Sequence, residues 1–447
     1  MAAGGSSESS WRPVLLGAAA GAAAASAVTA AIAFRRKQAP KAGRRWAVGE
    51  PLPRPAGSGS CVYLDVNATC PIYPDVADAS APFFREHWGN PSSTHAFGRP
   101  CRDAVAKARL QVATMIDAKP DEIVFCGCGS EADNWAILGA LELKKPRRHI
   151  VTTRIEHPAI LRCVEALVKA GKCDATYVDC DSKGYVDPQK VAAAVIPGST
   201  ALVSAMLANN EVGSVQDVAQ MVALCKKKDS ELLFHTDAAQ ACGKIDVHVS
   251  QLGVDLCTIV GHKYGAPKGI AAMYIRNGVK LPSMIRGGGQ EAGRRAGTEC
   301  VPLIVALGEA SAIWSEQGKE IAAHMAELRD LLLSRLTARL GSDRIRVNGG
   351  LGEASDVQRP TLPNTLSVAV LGGAQAGEIL ASLSESVAAS AGAACHSSHA
   401  AISEVLAAMA VPEQAARSTL RLSVGRHTTK GEIERAAELI ANACQSK

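Results

Sequence analysis

Short apolar, β-branched runs recur along this chain with helical patterns between them. That rhythm restricts the fold more than any other feature. The runs are Ile123–Cys126, Ile150–Thr153, Ala201–Leu207, Leu232–Thr236, Leu256–Val260 and Ile270–Ile275, with helical patterns such as Glu131–Leu143 and Pro158–Ala170 between them. The alternation implies βα units and an α/β fold, a mostly parallel sheet with helices on both faces. In such sheets ligands collect beyond the carboxyl ends of the strands. Five of the runs end in polar residues: Cys128-Gly-Ser-Glu131, Glu156-His157, Asn209-Asn-Glu211, Asp237 and His262-Lys263. Packing alone does not account for polar tips on five buried strands.

A long helical pattern follows at Leu303–Leu340, where Ile321, Met325, Leu328, Leu332 and Leu336 recur at three- and four-residue spacing. It reads as a connector, and a last helix is expected at Lys430–Cys444. The chain is thus expected to comprise an N-terminal segment and linker (1–60), a large domain (61–310) and a smaller mixed α/β domain (311–447). The segment from Val14 to Phe34 holds no charge and is followed by Arg35, Arg36 and Lys37. As a helix its 21 residues would span about 31 Å, the thickness of a bilayer core. It reads as a transmembrane anchor, as an organelle-targeting presequence of mitochondrial or plastid type, or as a disordered Ala-rich tail.

Charge sharpens the division. Residues 1–60 carry eight Lys/Arg against two acids, so of the net +5 they hold +6 and the remaining 387 residues sum to −1. A nearly neutral body gives no reason to expect nucleic acid as a partner. The 14 cysteines are scattered, and Cys126-Gly-Cys128 lacks the spacing of a zinc pair, so no metal site is expected.

The chemistry gathers around Lys263, which lies just beyond an apolar strand in the Gly-rich turn Gly261-His-Lys-Tyr-Gly265. Desolvation and neighbouring cations there favour the neutral amine that a Schiff base requires. Asp237, closing Phe234-His-Thr-Asp237, could keep a pyridine nitrogen protonated, and Gln240 could donate to a phenolic oxygen. Gly129 and Ser130 stand at a helix start, where backbone N–H groups and a hydroxyl form a phosphate cradle.

From about residue 62 to the C-terminus the sequence resembles the NifS-type cysteine desulfurases and the related selenocysteine lyases. The matching segments include Tyr63-Leu-Asp-Val-Asn-Ala-Thr69, Gly129-Ser-Glu-Ala-Asp-Asn134, Asn209-Asn-Glu-Val-Gly213, Asp237-Ala-Ala-Gln240, Gly261-His-Lys263, Gly297-Thr-Glu299, Gly392-Ala-Ala-Cys-His396 and Arg421-Leu-Ser-Val-Gly-Arg426. The resemblance implies a fold type I enzyme with a seven-stranded type of sheet, and pyridoxal 5′-phosphate bound as a Schiff base on Lys263. It implies that His157 stacks over the ring, that Asn210 and Gln240 bind the phenolic oxygen, and that Asp237 pairs with the pyridine nitrogen. Gly129, Ser130 and His262 would hold the phosphate, with Thr298 reaching it across a homodimer interface. Arg421 and Asn67 would bind the substrate. Cys395 would be the nucleophile that takes sulfur from L-cysteine, or meets selenium from L-selenocysteine, and passes it to an acceptor protein, leaving L-alanine.

Some positions depart from the desulfurase pattern. Val260 stands where many desulfurases have a serine, and selenocysteine lyases tend to have valine. Cys128 replaces a glycine, so a positive φ there would cost on the order of 1–3 kcal/mol. Another fold type I activity, such as an aminotransferase, and a non-catalytic scaffold are the alternative readings.

Overall fold

The structure is a computed structural model that describes residues 45–53, 57–351, 359–373, 375–391 and 402–445. The chain divides into two units, Met1–Arg45 and Trp46–Lys447, and the architecture below is that of the second.

Its main sheet has seven strands: β1 (Ile123–Cys126), β2 (His149–Thr153), β3 (Asp174–Val178), β4 (Thr200–Ser204), β5 (Leu233–Asp237), β6 (Leu256–Val260) and β7 (Ala271–Ile275). The spatial order is β1-β7-β6-β5-β4-β2-β3. Neighbours from β6 through β3 run parallel, whereas β7 is antiparallel to both β6 and β1. Every residue of β2, β4, β5, β6 and β7 is buried, as expected of strands covered on both faces. The sequence pattern misses β3, an edge strand in which only Val178 is buried, because its residues have no apolar run to betray it.

Helices α1 (Gly98–Met115), α2 (Gly129–Leu143), α3 (Pro158–Lys169) and α4 (Val218–Lys228) accompany the sheet. In α3 a proline occupies the first turn, where its missing N–H costs nothing, and His157 caps the end by accepting from Ala159 N. The expected connector is one 40-residue helix, α5 (Val301–Leu340), packed on α1. The last helix, α6, runs Lys430–Gln445. A second, antiparallel sheet contains β8 (Ile345–Asn348), β9 (Thr365–Val370) and β10 (Thr419–Ser423) in the order β10-β9-β8. Residues near the start of the family-like region reach this C-terminal part: Val62–Tyr63 pairs with Val387–Ala388, and Asp65 bridges Ser423. Positions far apart in sequence thereby meet at one place beyond the strand ends.

One expectation is corrected. Among the described residues no helix is long and apolar enough to cross a membrane, and residues 14–34, proposed as a transmembrane helix, lie outside them. The run is built largely from alanine, which adds little to insertion energy. Association with a membrane through residues 14–34 is therefore withdrawn, together with the anchored or organelle-targeted localisation.

Candidate active site

A cavity of about 830 Å³ opens at the carboxyl ends of β1, β2, β4, β5 and β6. Its lining draws on Asn67, Gly129, Ser130, His157, Asn210, Asp237, Gln240, His262, Lys263 and Arg421, so ten of the twelve residues singled out from the sequence come together. Thr298 is exposed and is not part of the lining. Cys395 lies outside the described residues, although Ala389, Ser390 and Ala391, shortly before it, line the cavity.

Lys263 ends the short turn Gly261–Lys263 that follows β6. Its Nζ donates to the Asn67 and Ala68 carbonyls at 2.9 and 3.0 Å. Burial, and then the positive charge of Arg421, push its pKa down to about 8, with Asp237 and Asp65 opposing. Beside it, burial brings His262 to about 4, and that ring meets the Thr69 hydroxyl at 3.2 Å.

Asp237 closes β5 and is buried; its Oδ1 accepts from Ala239 N at 2.8 Å. Burial raises its pKa, against the pull of that hydrogen bond and of His157 and Lys263. Asp133, which also lines the cavity, is buried too, with Oδ1 lacking a hydrogen-bond partner and a pKa raised by burial and by Asp237. His157 is held below its ordinary pKa by burial. Because its Nδ1 accepts from Ala159 N at 3.1 Å, the neutral ring carries its proton on Nε2.

Gly129 and Ser130, expected to cradle a phosphate, sit at the start of α2, which has no side-chain cap. A Cβ on Gly129 would lie 2.6 Å from Val260 Cγ2, so only glycine fits beside this valine. Cys128 is extended (φ −165°, ψ 169°), which any residue adopts, so the anticipated strain is absent.

Arg421 projects from β10. Its Nη2 donates to Asp65 Oδ1 at 2.9 Å and its Nη1 to the Asn210 carbonyl at 3.4 Å, while Nε is buried without a partner. Ser390 Oγ donates to the same Asp65 oxygen at 2.9 Å. Asn67, expected to bind substrate, spends its amide elsewhere. Nδ2 donates to Asn210 O (3.1 Å) and Thr365 Oγ1 (2.8 Å), and Oδ1 accepts from Lys244 Nζ and Asn364 Nδ2, both at 3.0 Å. Asp65, Asp133 and Lys244 escaped the sequence reading. Asp65 lay within a matched segment, but nothing in its neighbours tells that it faces an arginine more than three hundred positions away.

The comparisons with known proteins agree with this geometry. Residues 62–436 match the family model described as aminotransferase class-V. The chain is 39% identical over 381 residues to a cysteine desulfurase IscS of Clostridium botulinum, covering 85% of this chain and 93% of that protein. It is 40% identical over 385 residues to a cysteine desulfurase of Nostoc sp., covering 85% and 92%. A solved structure described as a NifS-like protein superposes with a TM-score of 0.78 at 35% identity, covering 86% of this chain and 98% of that one. With its cavity at the strand ends and this match over most of its length, the chain belongs to the class-V aminotransferase family, whose members use pyridoxal 5′-phosphate.

The residues present fit that cofactor. They offer an amine of lowered pKa, a buried carboxylate, and an uncapped helix start where only glycine fits, all around one cavity.

Proposed function

We propose that this protein is a pyridoxal phosphate-dependent cysteine desulfurase that converts L-cysteine to L-alanine and passes the sulfur to an acceptor protein. The observation that carries the reading is the meeting of Lys263, Asp237, His157 and Arg421 around one cavity, from positions 157 to 421 of the chain. The identity of about 40% to cysteine desulfurases over most of the chain supports it.

In this reading Lys263 holds the cofactor's aldehyde carbon, Asp237 its protonated pyridine nitrogen, and Asn210 and Gln240 its phenolic oxygen. His157 covers the ring. Gly129, Ser130 and His262 hold the phosphate, joined by Thr298 from a second copy of the chain. When bound, the cofactor supplies an electron sink for the pair released at the substrate's α-carbon. Arg421 takes the substrate carboxylate, a task its planar fork suits. Lys263 Nζ, with a pKa near 8, takes the α-proton and later returns a proton to the carbon skeleton. Cys395 attacks the substrate sulfur as a thiolate. An S–S bond forms, the Cβ–S bond breaks, and a persulfide stays on the enzyme until an acceptor removes it. Asn67 acts by holding this framework together.

The division expected from the sequence belongs to the same proposal, with residues 61–310 holding the cofactor and 311–447 contributing Arg421 and the Cys395 segment. A homodimer is proposed as well. Phe84, Trp88 and Phe97 are large and exposed, and the Trp88 and Phe97 rings stack 5.2 Å apart, as an interface patch would.

The test is to measure L-alanine formed from L-cysteine, with L-selenocysteine alongside, by wild type and by Cys395→Ala. Loss of cysteine turnover in the variant is the expected result. Equal turnover of cysteine by both would sink the persulfide step.

A further inference from the structure

Lys244 is fully buried at 1% exposure, and its side-chain partners among the described residues are the amide oxygens of Asn67 and Gln240, not a carboxylate. A buried cation without an anion is costly unless its N–H groups are well used. Here they are. Lys244 Nζ donates to Gln240 Oε1 and, at 3.0 Å, to Asn67 Oδ1. The turn that delivers it is tightly specified. Gly243 has φ +75°, and a Cβ there would lie 2.1 Å from Tyr264 Cβ, the side chain next to Lys263.

The consequence falls on Gln240. A terminal amide presents an oxygen that only accepts and a nitrogen that only donates, and it can be turned either way. Lys244 donates to one end. At the other end the Asn67 carbonyl, which can only accept, takes Gln240 Nε2 at 3.0 Å. The amide is therefore held with its nitrogen turned away from Lys244. One of the two Nε2 hydrogens is spent on Asn67, and Gln240 lines the cavity, so the second is available to a ligand. Asn67 is fixed in the same way, because its Nδ2 donates to the Asn210 carbonyl and its Oδ1 must then face Lys244.

We infer that Lys244 is a positioning residue that acts through Gln240, locking the amide so that the site offers an N–H donor to the phenolic oxygen of the cofactor. The inference rests on the proposed role of Gln240. Burial, and secondarily the charge of Lys263, hold the Lys244 pKa well below its ordinary value, and either protonation state still donates two N–H groups.

The test compares four holoproteins: wild type, Lys244→Met, Gln240→Met and the double variant. The readouts are the dissociation constant of pyridoxal phosphate and the position of its visible band at fixed pH. Gln240→Met is expected to weaken cofactor binding about fivefold and shift the band, the effect of one lost hydrogen bond. Lys244→Met is expected to do the same in the same direction, and the double variant to be no worse than Gln240→Met. If Lys244→Met alone does not fold, Gln240→Met against the double variant still decides, and the two must then share both band and affinity. A folded Lys244→Met with the wild-type band and affinity, beside a shifted Gln240→Met, would overturn the inference. So would effects that multiply to about 25-fold in the double variant. If Gln240→Met itself changes neither readout, the assignment of Gln240 fails, and the inference with it.

Discussion

Arg421 tunes the chemistry of Lys263. The guanidinium is the largest cause after burial in lowering the Lys263 pKa to about 8. Only the neutral amine attacks an aldehyde, so reloading the apoprotein with pyridoxal phosphate should accelerate with pH, by about one log unit per pH unit, and level off near pH 8. Stopped-flow absorbance would follow this. Arg421→Gln should move the break to higher pH, because it removes a charge that disfavours protonation, whereas a wild-type break near 10.5, the ordinary lysine value, would contradict the account. Arg421 is already engaged by Asp65 and the Asn210 carbonyl, so its fork is held in one orientation. Steady-state kinetics of Arg421→Lys should show the KM for L-cysteine rising roughly 10- to 100-fold with a smaller change in kcat, since a lysine cannot supply the paired donors. The positions of the cavity residues were legible where a strand end exposed them, as at Asp237, His157 and Lys263. Lys244 was not, because a lysine after a glycine turn looks solvated until the fold buries it.

At the scale of elements, the start of α2 is the most demanding joint. Gly129 follows β1 and Val260 ends β6, two strands with β7 between them, and a Cβ on the first would press within 2.6 Å of Cγ2 of the second. Gly129→Ala should lower cofactor affinity about tenfold or more by displacing the helix start. Gly129→Ala with Val260→Ala should recover most of it, because the nearest remaining atom, Val260 Cβ, is 3.8 Å away. Equilibrium titration by cofactor fluorescence would decide, and no recovery in the double variant would mean that the glycine serves something other than clearance. The strands of the buried sheet could be read from apolar runs, with Ile123–Cys126 and Leu256–Val260 matching to the residue. The antiparallel direction of β7 could not, since a buried apolar run looks the same in either direction. Nor could the edge strand β3, whose charged and half-buried residues carry no such run.

The molecule as a whole joins a nearly neutral catalytic body to a basic N-terminal segment, and the exposed Phe84 and the stacked, exposed Trp88 and Phe97 lie on the body. If Phe84, Trp88 and Phe97 cover a second copy, Trp88→Glu should shift the protein from dimer to monomer in light scattering and weaken cofactor retention, because Thr298 would no longer reach a partner's site. A dimer unaffected by this charge would remove the patch from the interface. What sequence could not supply at this scale is which distant segments meet: the pairing of residues 62–65 with 387–388 and 423 brings Asp65 against Arg421 and has no local signature. Whether this cavity turns cysteine into alanine with the help of Lys263 is decided by quantifying L-alanine released from L-cysteine by purified wild type and Lys263→Ala supplied with pyridoxal phosphate. The wild type should release one alanine for each sulfur removed, and the variant none above background. Alanine formation by the variant at the wild-type rate, or none by a wild type that holds the cofactor, would contradict the proposed function.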